Sequence, residues 1–198
     1  MLAKFPNLKA IVAATAVFVA IFPPAPLRAE DAVAGAQRAP GVTPEVLLQD
    51  LALAAPAETA AIDRELQALW SRSGSAAMDL LLRRGRDAAE RGDLLEAVEH
   101  LTALTDHAPE FSRGWYERAR VYHLLGLYGP AVADLERALA LNPMDYNAIF
   151  ALGLVFEQFR MPDRAFAAYR RAKAIHPHHE EVSSALERLA PQVEGREL

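Results

Sequence analysis

Six consecutive residues, His176-Pro177-His178-His179-Glu180-Glu181, hold the densest run of metal-ligand side chains in the chain. Imidazole nitrogens and carboxylates are proper ligands for zinc and related ions. A site needs three or four of them to converge, and adjacent His178 and His179 point apart on a helix. No second ligand set stands at a recognised spacing, so the run reads as surface polar residues, with no metal held. Other chemistries have less support. The chain has no cysteine, which removes thiol nucleophiles, thiolate ligands and disulfides together. It has no Gly-rich phosphate loop and no His-Glu-x-x-His, and its serines lack a nucleophile-elbow context. Arg83-Arg84-Gly85-Arg86 is a basic run with acids around it, which suits a solvated or groove-facing helix better than nucleic acid. Catalysis and a bound cofactor are therefore not expected.

Which residues meet is decided by the surrounding elements, and these follow a period. Ala97, Ala131 and Ala165 stand 34 residues apart. The same spacing relates Leu101, Leu135 and Tyr169, then Leu104, Ala138 and Ala172, then Pro109, Pro143 and Pro177. Matching punctuation at a fixed period means one structural unit stacked on itself. The units run over 78–111, 112–145 and 146–179. Each reads as a first helix, a tight turn, and a second helix that ends before the proline. Gly92 can end a helix in the left-handed region and Asp93 can cap the next. Pro130 and Pro162 fall in the first turn of a second helix, where a missing amide costs nothing.

The flanks do not share the period. Residues 43–75 read as a helical hairpin. Thr43 and Pro44 open its first helix, Pro56 stops it, and a second helix from about residue 57 to 72 carries Ile62, Leu66, Leu69 and Trp70 on one side. Its expected job is to cover the exposed apolar face of the first unit, because terminal units need a cap. Residues 180–198 read as a capping helix through Val182, Leu186 and Leu189, with a frayed tail after Pro191.

The columns of the period resemble the tetratricopeptide repeat. The second unit supplies Trp115, Arg118, Ala119, Tyr122, Ala131, Leu135, Ala138 and Pro143. The third supplies Ile149, Leu152, Gly153, Phe156, Ala165, Tyr169, Ala172 and Pro177. The first, a weaker match, supplies Leu81, Arg84, Gly85, Ala88, Ala97, Leu101, Leu104 and Pro109. Arg84 and Arg118 depart from the leucine the family favours, and Leu104 from its alanine. The small residues let two helices approach closely, and the large ones fill the gap between neighbouring units. The resemblance implies an all-α, right-handed superhelical stack of helix-turn-helix repeats, with the hairpin before it and the closing helix after it.

In that family the first helices of successive units line a concave groove. Carried over column by column, the groove residues are Arg86 and Glu90 in the first unit. They are Arg113, Tyr116, Arg120 and His123 in the second, and Asn147, Phe150 and Glu157 in the third. The lysine and asparagine clamp by which some members hold a C-terminal carboxylate is not reproduced. Arginine still offers a forked donor to a carboxylate, and aromatics give contact area at low entropy cost. The lining suits an extended peptide or a partner helix with at least one carboxylate. The expected function is a non-catalytic scaffold or adaptor for a protein or peptide partner. The alternative is a structural repeat protein that self-associates without a peptide ligand. The net charge of −5 disfavours nucleic acid.

Residues 1–29 read as a signal peptide. Lys4 and Lys9 precede an uncharged apolar run over residues 10–22, and Pro23, Pro24 and Pro26 then lead to Ala29. That run is short of the ~20 residues of a membrane span. No adjacent arginine pair precedes it, which implies the general secretory route and a periplasmic protein of the bacterial cell envelope. Residues 30–42 read as a disordered linker.

Overall fold

The computed structural model describes residues 41–194; the signal peptide and most of the linker expected from the sequence lie outside the described residues. All regular structure among the described residues is helical. The leading hairpin is α1 (Pro44–Leu53) and α2 (Pro56–Trp70). The first unit is α3 (Ala76–Arg91) and α4 (Leu94–His107), and the second is α5 (Ser112–Leu124) and α6 (Tyr128–Leu141). The third is α7 (Tyr146–Gln158) and α8 (Pro162–Ile175), and α9 (Glu180–Glu194) closes the chain. Each unit's two helices pack on each other, α4 meets α5, α6 meets α7, and α9 lies on α8. This is the all-α stack of helix-turn-helix units that the period implies.

The repeated columns are the glue of the stack. Leu101, Leu135 and Tyr169 are at most 1% exposed, and burying each such side chain contributes about 2 kcal/mol. Leu101 and Tyr169 reach that depth because a residue without a side chain lies opposite. A Cβ on Gly85 would sit 2.6 Å from Cγ of Leu101, and one on Gly153 would run into the Tyr169 ring. The turns inside the units share one left-handed position, at Gly92 (φ 84°), Gly126 (φ 73°) and Arg160 (φ 56°). Caps differ from unit to unit. Asp93 stands at the start of α4 without capping it, since its carboxylate accepts from Arg91 instead. Asp145 does cap, accepting from the amides of Asn147 at 3.0 Å and Ala148 at 3.2 Å.

Two flanking details depart from the sequence reading. Pro191 lies inside α9 rather than ending it; so near the exposed end its ring sacrifices one backbone bond and the helix carries on. The hairpin does not pack its apolar side on the first unit. Leu47, Leu51, Ile62 and Leu66 share a buried cluster with Tyr146, Ile149 and Ile175 of the third unit and Val182 of α9. The reason is the surface on offer. Arg83, Arg84, Asp87 and Glu90 of α3 are exposed and charged, whereas the third unit presents a large aromatic ring. Trp70 packs against that ring, Tyr146, at 5.7 Å between centroids.

Candidate interaction surface

The concave face is organised around α5. Glu117, which the sequence reading passed over, is 3% exposed there. Its Oε1 accepts from Arg86 Nε at 2.8 Å and from Arg113 Nε at 3.0 Å, and its Oε2 accepts from Arg120 Nη1 at 2.8 Å. Burial alone pushes the Glu117 carboxyl up, and the guanidiniums of Arg113, Arg86 and Arg120 more than reverse it, so it sits below its ordinary value. Two of these arginines have further partners. Arg113 Nη1 donates to Gln67 Oε1 at 2.6 Å, and Arg86 Nη2 donates to Ser71 Oγ at 3.1 Å. Arg113 is itself buried and lies 4.7 Å from the centroid of Tyr116. Burial raises the Tyr116 hydroxyl to about 12. An internal carboxylate thus holds the arginines that the sequence offered to a partner's carboxylate. The signal was present: Glu117 lies four residues after Arg113 and three before Arg120, on one helix face.

Arg120 alone of the three keeps a half-exposed side chain, and it opens onto a cleft between α5 and α7. Tyr116, Arg120, His123, Leu124, Asn147, Phe150 and Leu154, all in groove columns by resemblance, meet there around a space of about 180 Å³. The His123 ring packs 5.5 Å from Tyr128, and its buried Nε2 has no hydrogen-bond partner. Arg86, Glu90 and Arg113 line a separate depression between α3 and α5, shared with Arg120. Glu157 joins neither. Its carboxylate accepts both Arg188 nitrogens and, at 2.6 Å, the Tyr169 hydroxyl. The Arg188 hydrogen bonds above all hold it below its ordinary value.

The histidine run is not the surface turn its composition implies. His176 is 6% exposed, stacked edge-on to Tyr146 at 5.0 Å, and His179 lies 5.2 Å from His176 and 5.4 Å from Phe150. Burial pushes both rings below their ordinary value. The covering hairpin and Tyr146 account for this depth. Among the described residues no group of three or more histidines, aspartates and glutamates is assembled to hold a metal. Arg118, a departure from the repeat pattern, ties units one and two. It meets Asp134 at 2.7 and 2.9 Å and donates to Thr105 of α4 at 2.8 Å.

A family model of the tetratricopeptide repeat matches residues 82–133 and 126–180. A tetratricopeptide repeat-containing protein of Rhizobium etli is 23% identical over 140 residues, 71% of this chain and 69% of that one. The bovine SGT1 homolog is 35% identical over 79 residues, 40% of this chain; the chain spans 23% of that relative's length. Among solved structures, the first TPR of Spaghetti (RPAP3) bound to the HSP90 peptide SRMEEVD superposes with a TM-score of 0.58 at 22% identity. It covers 61% of this chain and 95% of that one. The crystal structure of MamA gives a TM-score of 0.55 at 24% identity, over 60% of this chain and 68% of that one. These structural likenesses establish the fold.

Proposed function

Because the chain belongs to the tetratricopeptide-repeat family, we propose that it is a non-catalytic scaffold that holds a segment of another protein in the cleft between α5 and α7. The observation that carries this reading is the lining of that cleft. Tyr116, Leu124, Phe150 and Leu154 make an apolar floor, while Arg120 and the unpartnered His123 Nε2 stand at its side. An apolar floor with few polar groups at fixed places is how proteins hold a partner's anchor residue. The space accepts one large side chain, and Arg120 donates to a neighbouring carboxylate or carbonyl. A solved relative in fold, the first TPR of RPAP3, is bound to an HSP90 peptide. The ligand here has different chemistry, because the charges around Glu117 are already paired. We place the protein in the bacterial cell envelope, exported by residues 1–29.

A photo-crosslinking residue at Phe150, in producing cells, tests this. One defined partner band, absent when the residue stands at exposed Arg137 and lost on Arg120→Ala, is the expected result. Equal labelling at both positions would sink the reading. Amino-terminal sequencing of the envelope fraction tests the location, with a start at Glu30 expected. Self-association is the second reading. It draws on Leu127, Phe159 and Met161, exposed by 46%, 44% and 41% on the turns inside units two and three.

A further inference from the structure

Part of the concave face is taken by the chain itself. The Tyr146 hydroxyl stands between Gln67, whose amide donates to it at 2.8 Å, and Asp63, which accepts from it. Gln67 Nε2 also donates to Asp63 Oδ1 at 3.2 Å. Asp63 and Gln67, one turn apart on α2, therefore form an assembled acid–amide pair. Ile62 and Leu66 are buried beside them. On the stack, the seat consists of the Tyr146 ring and hydroxyl, the Arg113 guanidinium and the Arg86 guanidinium.

The fit of the hairpin to this seat is incomplete. A cleft of about 500 Å³ runs between Leu48, Leu69 and Trp70 of the hairpin and Phe111, Met144 and Asp145 of the stack. The apolar residues of the hairpin are buried against the third unit, and this cleft opens to solvent at the edge of that contact. Only residues 71–75 separate α2 from α3, with Gly74 at φ 82° as a pivot.

We propose that the hairpin is an internal ligand. The surface under α2 is a second docking surface, built for an amphipathic helix of α2's own chemistry: two apolar residues one turn apart beside an acid and an amide one turn apart. A partner helix of this kind takes the seat by displacing α2. The proposal rests on the scaffold reading above and adds a different surface and a different ligand to it. Glu117 makes the exchange feasible. When α2 leaves, Arg113 and Arg86 lose Gln67 and Ser71 but keep Glu117, so no charge is stranded and the vacated donors face the incoming helix. The same carboxylate holds Arg120 of the open cleft, which places the two docking surfaces on one ionic node.

The test uses the full chain and no unidentified partner. Asp63→Ala with Gln67→Ala removes the polar part of the hairpin's grip and leaves the seat intact. Amide exchange over 44–70 should quicken about tenfold relative to α5–α8. A labelled synthetic peptide of residues 43–72, native in sequence, should then bind this variant about tenfold more tightly than it binds the native chain. Adding Tyr146→Phe, which keeps the ring and removes only the hydroxyl, should weaken that binding. Unchanged exchange, or quickened exchange with no peptide bound, overturns the proposal. Neither result touches the α5–α7 cleft, and failure of crosslinking at Phe150 would leave this test standing.

Discussion

Units one and two are joined through buried charge as well as apolar contact, whereas the buried cluster joining units two and three is apolar. At the first joint Glu117 collects arginines from both units, and Arg118 bridges Asp134 to the threonines of α4. At the second, Tyr116, Leu135 and Ala138 meet Ala148 and Val155 in one apolar cluster. The difference explains where a ligand can sit. A charged joint is self-satisfied, because every buried charge must already have its partner. An apolar joint can keep an open cleft at little cost, because its exposed lining lacks only contact. The depression at the first joint is accordingly lined by charges that are already paired, whereas the cleft with an apolar floor is found at the second.

The sharpest way to break the contrast is Glu117→Ala. It strands buried Arg113 and half-buried Arg86, and losing one partner of such a cluster costs about 3–5 kcal/mol. Urea unfolding should show that loss, with the hairpin exchanging faster as well, since Arg113 and Arg86 also bond to Gln67 and Ser71. A loss under about 1 kcal/mol would mean the node behaves as a surface ion pair, and the first joint would not be held by charge.

The sequence was legible wherever a residue serves the repeat itself. Columns such as Gly85 with Leu101 and Gly153 with Tyr169 recur because each unit solves the same packing problem, so the fold could be read from the period. The hairpin's seat recurs nowhere. Gln67 and Tyr146 are 79 residues apart, and no pattern in either segment points to the other. That is why the hairpin was expected on the first unit and the histidines at the surface. Glu117 was hidden differently. Its spacing to Arg113 and Arg120 was visible, but an arginine's partner can as well be a ligand as a neighbour, and only packing decides.

A pH titration sharpens the comparison further, because the two regions should lose stability in different windows. His176 and His179 are held below their ordinary value of 6.5 by burial first, and for His176 by His179 next. Asp63 of α2 faces both rings and works in the opposite direction, joined at His179 by Glu181. The unfolded chain therefore binds protons before the folded one. Stability falls as the pH drops below 6.5, and the hairpin and third unit feel it first. Glu117 is also depressed, from 4.5, so its contribution is present above that value and fades only as the pH falls through the lower folded value. Relative to the intrinsic rate, which itself slows as the pH falls, protection should drop in α2 between pH 7 and about 5.5 while α5 stays protected. His176→Phe should flatten the first phase and leave the acid limb in place.

The smallest effect concerns the turns that both joints share. Gly92 and Gly126 take the left-handed conformation without strain, but at the same position the third unit has Arg160 at φ 56°. A residue with a Cβ is strained there, while glycine is favoured even after its extra unfolded-state entropy is counted. Arg160→Gly should thus raise stability by about 0.5–1 kcal/mol. The side chain is exposed, so its removal sacrifices little packing to offset the gain. The gain should appear in thermal or urea unfolding with no change in the pH windows, because the turn touches neither the Glu117 node nor the histidines. A loss of stability would show that Arg160 supplies a contact at the third unit's edge, and the turns of the units would then not be equivalent.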